Sequence, residues 1–203
     1  MTTITVDGLG ERHLIAERAT LTARIAVAHA HRDQSIAQGT AAHAQLADRA
    51  VRLRADGAAT WHSVDVLSTN VRVWTDKDGE KHTDHVTSGT VRVKLSRLDL
   101  VSGVVAELSA LGAVVSTDWA LTDSTRQRTT RELRAAAVRD ARAKADDFAA
   151  ALGATVSRVV ALRSSAIGPL PGARGASGAA RDELTIPEIT VSVAVTGEFE
   201  TDG

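Results

Sequence analysis

The 203-residue sequence has no cysteine. That excludes disulfide staples, thiolate nucleophiles and cysteine-built zinc or iron–sulfur centres, and it leaves the redox compartment unmarked. Tyrosine is absent too, and three Trp with two Phe make up the whole aromatic complement. A core must therefore be built from Ala, Val, Leu and Ile, and the stacking platforms that hold single-stranded nucleic acid are missing. Neither sign of charge dominates: the formal net charge of −1 gives no global attraction to a polyanion. No apolar run approaches the roughly 18 residues of a membrane span. The opening MTTITVDGLGER has neither a basic start nor an apolar segment, so no export signal is visible. A cytoplasmic protein is the expectation for the chain as written, and an exported one the alternative if a leader has been removed.

What is present is periodic. Ser124 to Gly153 reads as one long helix, with Leu133, Ala137, Ala141, Ala145, Phe148 and Leu152 on one arc. Arg128, Arg131, Arg139 and Arg142 gather on the opposite side. Ser124 with Gln127 predicts a capping box, and Gly153 predicts a left-handed stop. The alanine face lets the helix lie close to a sheet, with Phe148 as its one bulky anchor.

Earlier in the chain, Ile4 and Val6 begin a short strand ending at Gly8-Leu9-Gly10. Ala19, Leu21, Ala23, Ile25 and Val27 then alternate with polar Thr20, Thr22 and Arg24, the pattern of a strand buried on one side. Asp33 is placed to cap a helix in which Ile36, Ala44, Ala47, Ala50 and Val51 recur, with Gly39 weakening its first turns and Asp56-Gly57 stopping it. Thr60 to Val73 is strand-like, but Val64 and Val66 are out of phase with Val71 and Val73, which calls for a bulge or a change of face. Asp78-Gly79 offers a hairpin turn into a strand carrying Val91, Val93 and Leu95. A helix from Ser96 to Leu111, a strand through Trp119, a strand from Val156 to Leu162 and a closing strand through Ile189, Val191, Val193 and Val195 complete the order. The residues from about 163 to 186, rich in Gly, Ser, Ala and Pro, read as a mobile loop. Strand, helix and two strands thus occur twice. That order is open to reading as an internal duplication or as the common pattern of α+β chains.

Candidate chemistry is sparse. His82-x-x-His85, with Asp84 between them and Asp76, Asp78 and Glu80 beside them, carries metal-ligand chemistry. Residues three apart on a strand point to opposite faces, however, and the acidic residues lack an EF-hand register, so a solvated hairpin is expected. His29 and His31 share a strand face without a nearby acid. Gly168, Gly172, Gly175 and Gly178 lack the Gly-Lys-Ser/Thr of a phosphate loop, and Gly8-x-Gly10 lacks the third glycine of a dinucleotide fingerprint, which leaves a structural turn. No nucleophile-elbow context appears. Arg128, Arg131, Arg139 and Arg142 form the one candidate anion-binding or interface face, tempered by Glu132 and by Asp146, which is four residues beyond Arg142. Arg134 and Lys144 lie inside the apolar arc as weaker interface candidates. No metal, cofactor or catalytic residue is assigned.

Several strings together resemble the SIMPL-domain family, mostly bacterial proteins of unknown function. They are Val6-Asp7-Gly8-Leu9-Gly10, Val91-Arg92-Val93 leading to Leu98-Asp99-Leu100, Leu111-Gly112-Ala113, Ala136 to Ala145, Ala149 to Gly153, and Ile186 to Val193. A Gly usual after the Pro of the last string is missing, and the aromatic usual near the start of the fourth strand is replaced around His85-Val86-Thr87. The resemblance implies one domain over residues 1–203, an α+β fold with helices covering an antiparallel sheet, and, as in some members, assembly into hollow rings. The expectation is a non-enzymatic protein that self-associates, with an anion-binding module on the Arg128 to Arg142 face as the alternative, no nucleic acid as partner and no cofactor.

Overall fold

A computed structural model describes residues 2–165 and 185–202. In chain order the elements are β1 (Thr2–Ile15), β2 (Arg18–His29), α1 (Arg32–Ala55), β3 (Ala59–Val64), β4 (Ser68–Thr75) and β5 (Lys81–Leu95), followed by a 3-10 turn at Leu98–Leu100. Then come α2 (Val101–Ala110), β6 (Val114–Ala120), α3 (Asp123–Ala151), β7 (Thr155–Ser165) and β8 (Glu188–Asp202). All the strand pairs described are antiparallel, so the α+β expectation holds. Apart from 163–165 and 185–186, the Gly- and Pro-rich stretch expected to be a loop lies outside the described residues. None of the described helices is long and apolar enough to cross a membrane.

The contacts divide the chain into two compact units. One contains residues 2–16, 121–165 and 187–202; the other contains residues 17–120. In the first, the sheet order is β1-β8-β7, and β1 pairs with β8 along its whole length, Thr2 opposite Thr201 and Ile15 opposite Glu188. Helix α3 covers one face. It buries Thr125, Thr129, Leu133, Ala137, Ala141, Ala145 and Ala149, a strict four-residue spacing.

Gly8 and Gly10 are not a turn. They lie inside β1, beneath α3, where a Cβ on Gly8 would come within 2.6 Å of the Ala141 amide nitrogen and closer still to the Ala137 carbonyl oxygen. The alanine row of the helix and the glycines of the strand are two halves of one close backbone approach. No room is left for a large residue there, and Phe148, one position before Ala149, turns out 57% exposed instead of anchoring the helix. The buried aromatic is Phe199 on β8, whose ring lies over Gly197. The helix start also differs: the cap is Thr122, whose hydroxyl accepts from the Thr125 amide, two residues before the expected Ser124. Gly153 does end the helix, with φ +72°.

The second unit has the sheet order β3-β5-β2-β6, with β4 also paired to β5. β3 and β4 follow one another along the same edge of β5, and the break at 65–67 accounts for the phase change between Val64 and Val71. Ala19, Leu21, Ala23 and Ile25 of β2 and Val91, Val93 and Leu95 of β5 meet Leu46, Ala50 and Leu53 of α1 and Val101, Val104 and Leu108 of α2 in one core. The expected α1 stripe is rotated. Its buried row runs Ser35, Gly39, His43, Leu46, Ala50 and Leu53, while Val51 is exposed. Gly39 is there for Thr87, since a Cβ would come within 2.6 Å of that side chain. The Ser35 hydroxyl donates to the Val27 carbonyl and shares a bond with the Thr87 hydroxyl, which in turn meets Thr69. Small and polar residues, invisible to a hydrophobic pattern, thus tie α1 to β2, β5 and β4.

Both units have a strand–helix–strand–strand order in which the last strand lies between the other two: β2, α1, β3 and β5 in one, β1, α3, β7 and β8 in the other. The second set opens with β1 and not with the Trp119 strand, β6, which belongs to the five-stranded sheet. This is a likeness of topology, with little residue identity behind it.

Candidate functional site

One sparsely covered part of the described chain is the arm made by β4 and the first half of β5. A turn closes it: the Asp76 amide donates to the Glu80 carbonyl, Gly79 takes φ +87°, and Asp76 Oδ1 accepts from the amides of Asp78 and Glu80. Since the Asp76 amide points at β5, alternation directs the main-chain groups of Thr69, Val71, Val73 and Thr75 to the open side. Among the described residues no strand pairs with that side. Val71 and Val73 are 61% and 64% exposed.

The other face of the arm is polar and ordered. Arg72 donates to Asp84 Oδ2 at 2.7 Å, the Trp74 indole donates to the same oxygen at 2.8 Å, and the His82 ring stacks on Trp74 with centroids 4.5 Å apart. His82 Nε2 lies 2.8 Å from Asp76 Oδ2. The bond from Arg72, then that from Trp74, holds the Asp84 carboxyl below its ordinary value. Asp76 is lowered first by His82 and then by the Glu80 amide. As expected, His82 and His85 do not join: His85 is opposite His29 across the sheet and His82 opposite Trp74. The hairpin turn instead gathers Asp76, Glu80 and His82, a grouping that spacing along a single strand could not reveal. His31 lies past the strand, where its amide donates to His29 Nδ1.

The outer edges of β1 and β7 are guarded. On β1, Asp140 of α3 accepts the Leu9 amide at 2.8 Å, and Lys144, which also pairs with Asp140, donates to the Asp7 carbonyl at 2.9 Å. Lys144 therefore closes an edge of its own chain. β7 is broken by two register shifts, and Arg158 and Arg163 on it pair with Glu200 and Glu198. Bulges and charges of this kind deter pairing with a foreign strand. β6 is short and carries Asp118. β4 has eight residues in unbroken register and one charge, Arg72, already held by Asp84.

The arginine face is only partly free. Arg142 is bound to Asp146 and to the Val156 carbonyl. Arg128, Arg131 and Arg139 are exposed, and among the described residues they have no ion-pair partner. Arg134 is exposed as well. The glycines from Gly168 to Gly178 lie outside the described residues.

A family model named SIMPL, described as a protein of unknown function (DUF541), matches residues 4–199. The chain belongs to the SIMPL family. The match runs from Ile4 in β1 to Phe199 in β8 and so passes through both units. No curated protein matches the chain. SIMPL membership therefore agrees with the α+β architecture and brings no activity with it.

Proposed function

We propose that this SIMPL protein is a non-enzymatic, self-associating scaffold or interaction module, and that β4 is the strand through which copies join. The observation that carries this reading is the open side of β4, where no strand pairs among the described residues and Val71 and Val73 are exposed. A strand edge of this kind is a template for another strand. A second copy suits it by charge: in an antiparallel pair centred on Val73, Arg72 lies opposite Trp74 of the other copy, and no like charges meet.

Light scattering on the full chain tests the reading. Self-association gives a native mass above the 21.3 kDa of one chain, and Val73→Lys, which places a charge on the edge, lowers it. A mass of one chain at every concentration removes the scaffold reading. A large assembly unmoved by Val73→Lys removes β4 as its joint.

A second reading rests on Arg128, Arg131 and Arg139, which have no ion-pair partner among the described residues and which with Arg142 form an anion-binding face. Loss of phosphate or polyphosphate binding in an Arg131→Ala, Arg139→Ala double variant supports it, and unchanged binding removes it.

A further inference from the structure

At the tip of the β4–β5 arm, carboxylate oxygens of Asp76 and Glu80 and an imidazole nitrogen of His82 all lie within 4.8 Å of one another. The three come from both sides of the turn. Asp76 follows the last residue of β4, Glu80 precedes β5, and His82 is the second residue of β5. Carboxylates alone at a turn are ordinary solvated groups. The nitrogen ligand changes the chemistry, because imidazole favours zinc, copper, nickel or cobalt over the oxygen-seeking calcium and magnesium.

We propose that Asp76, Glu80 and His82 form a binding site for a divalent transition-metal ion of the zinc type. The fit is geometric. His82 Nε2 and Asp76 Oδ2 are 2.8 Å apart. A tetrahedral ion with bonds of about 2.0–2.1 Å holds its ligand atoms roughly 3.3 Å apart, so this pair opens by only about half an ångström to admit one. Both ligands are already aimed. The amides of Asp78 and Glu80 hold Asp76 Oδ1, which turns Oδ2 to the imidazole. The His82 ring is held from a different direction, by Trp74 at 4.5 Å and 27° between planes. That stacking does not involve the ligand nitrogen and survives metal binding. Glu80 supplies the third ligand and water the fourth, since the tip is open to solvent. The bound ion links the end of β4 to the start of β5 and stiffens the arm, whether or not copies of the protein associate.

Isothermal titration of chelator-treated, full-length protein with Zn2+ tests the site, with Mg2+ as the comparison ion. The expected result is uptake of about one Zn2+ per chain at this site and no comparable uptake of Mg2+. Loss of one ligand weakens binding by at least the roughly 10–100-fold seen when only an outer-sphere partner is lost, so His82→Ala and Glu80→Gln each show that drop while His85→Ala does not. Glu80 is exposed, so its variant folds even if His82→Ala perturbs the Trp74 stack. Cu2+ bound at His82 also quenches Trp74 fluorescence, a readout that His82→Ala abolishes. Absence of saturable Zn2+ uptake at about 0.1 mM overturns the proposal. So does uptake that neither His82→Ala nor Glu80→Gln weakens, because the ion then sits elsewhere.

Discussion

Replacing Gly8 by alanine tests whether α3 rests directly on the backbone of β1. The added methyl carbon would lie 2.6 Å from the Ala141 amide and 2.7 Å from the Ala141 Cβ. Ordinary contact begins at 3.4 Å, so the helix must retreat by about 0.8 Å at that point, and by more at the Ala137 carbonyl. A gap of roughly 0.5–1 Å forfeits a quarter to a half of the dispersion attraction between packed atoms. The loss falls on Leu133, Ala137, Ala141 and Ala145, the middle of the buried row. Because the obstacle is main chain, which cannot rotate away, the cost belongs at the upper end of overpacking, ~3 kcal/mol. In a chain of this size that corresponds to a fall in Tm of about 6–12 °C. Gly103→Ala in α2 is the control. Nothing lies within 4 Å of its new methyl, so it gains about 0.5–1 kcal/mol from helix propensity alone. All three tryptophans, Trp61, Trp74 and Trp119, are in residues 17–120, so far-UV circular dichroism rather than fluorescence must follow the unit containing Gly8. A Gly8→Ala variant that unfolds at the wild-type denaturant concentration refutes the close approach.

Two further outcomes follow from polar groups. His43 is buried against Gly89, and its Nε2 has no hydrogen-bond partner among the described residues, so His43→Leu, which removes the orphaned nitrogen at similar size, stabilises residues 17–120 by about 1 kcal/mol. Urea unfolding followed by Trp fluorescence checks this, and a destabilised variant contradicts it. Asp76 and Asp84 are held below their ordinary value of 3.8, so the folded arm binds fewer protons than the unfolded chain as that value is approached. The stabilisation they give is complete above that value and is lost as pH falls through their lower folded values. The side-chain carboxyl carbon resonances of Asp76 and Asp84 should therefore show their own titration steps below the ordinary value of 3.8; midpoints above it would contradict the assignment.

Much of the fold is legible in single elements. The alternation at Leu21, Val93 and Val193 marks strands buried on one side, and the alanine row marks α3. The misreadings have one cause, the assumption that large apolar residues define a buried face. Phe148 is outside because the row that α3 buries keeps a strict four-residue spacing through Ala145 and Ala149, and α1 turns toward Ser35, Gly39 and His43 because hydroxyls and a glycine seat it on Thr87. Pairing was the other blind spot. Nothing local to Ile4 or Val6 signals that β1 belongs with β8, or that it runs fourteen residues through two glycines. The turn residues are legible as metal-ligand chemistry, but their meeting is not: Asp76 and His82 are six apart, roughly 20 Å along an extended strand, and only the hairpin makes them neighbours.

The pairing of β1 with β8 sets an order of events at the ribosome. β1 is finished at Ile15, but its partner begins at Glu188, about 170 residues later, and at 5–20 residues per second that is a wait of roughly 10–35 s. Residues 17–120, continuous in the chain, can close their sheet within that interval, whereas β1, made before them, is paired only after they are complete. β1 therefore waits as an unmatched strand while residues 17–187 are made, in the period when a chaperone has most to protect.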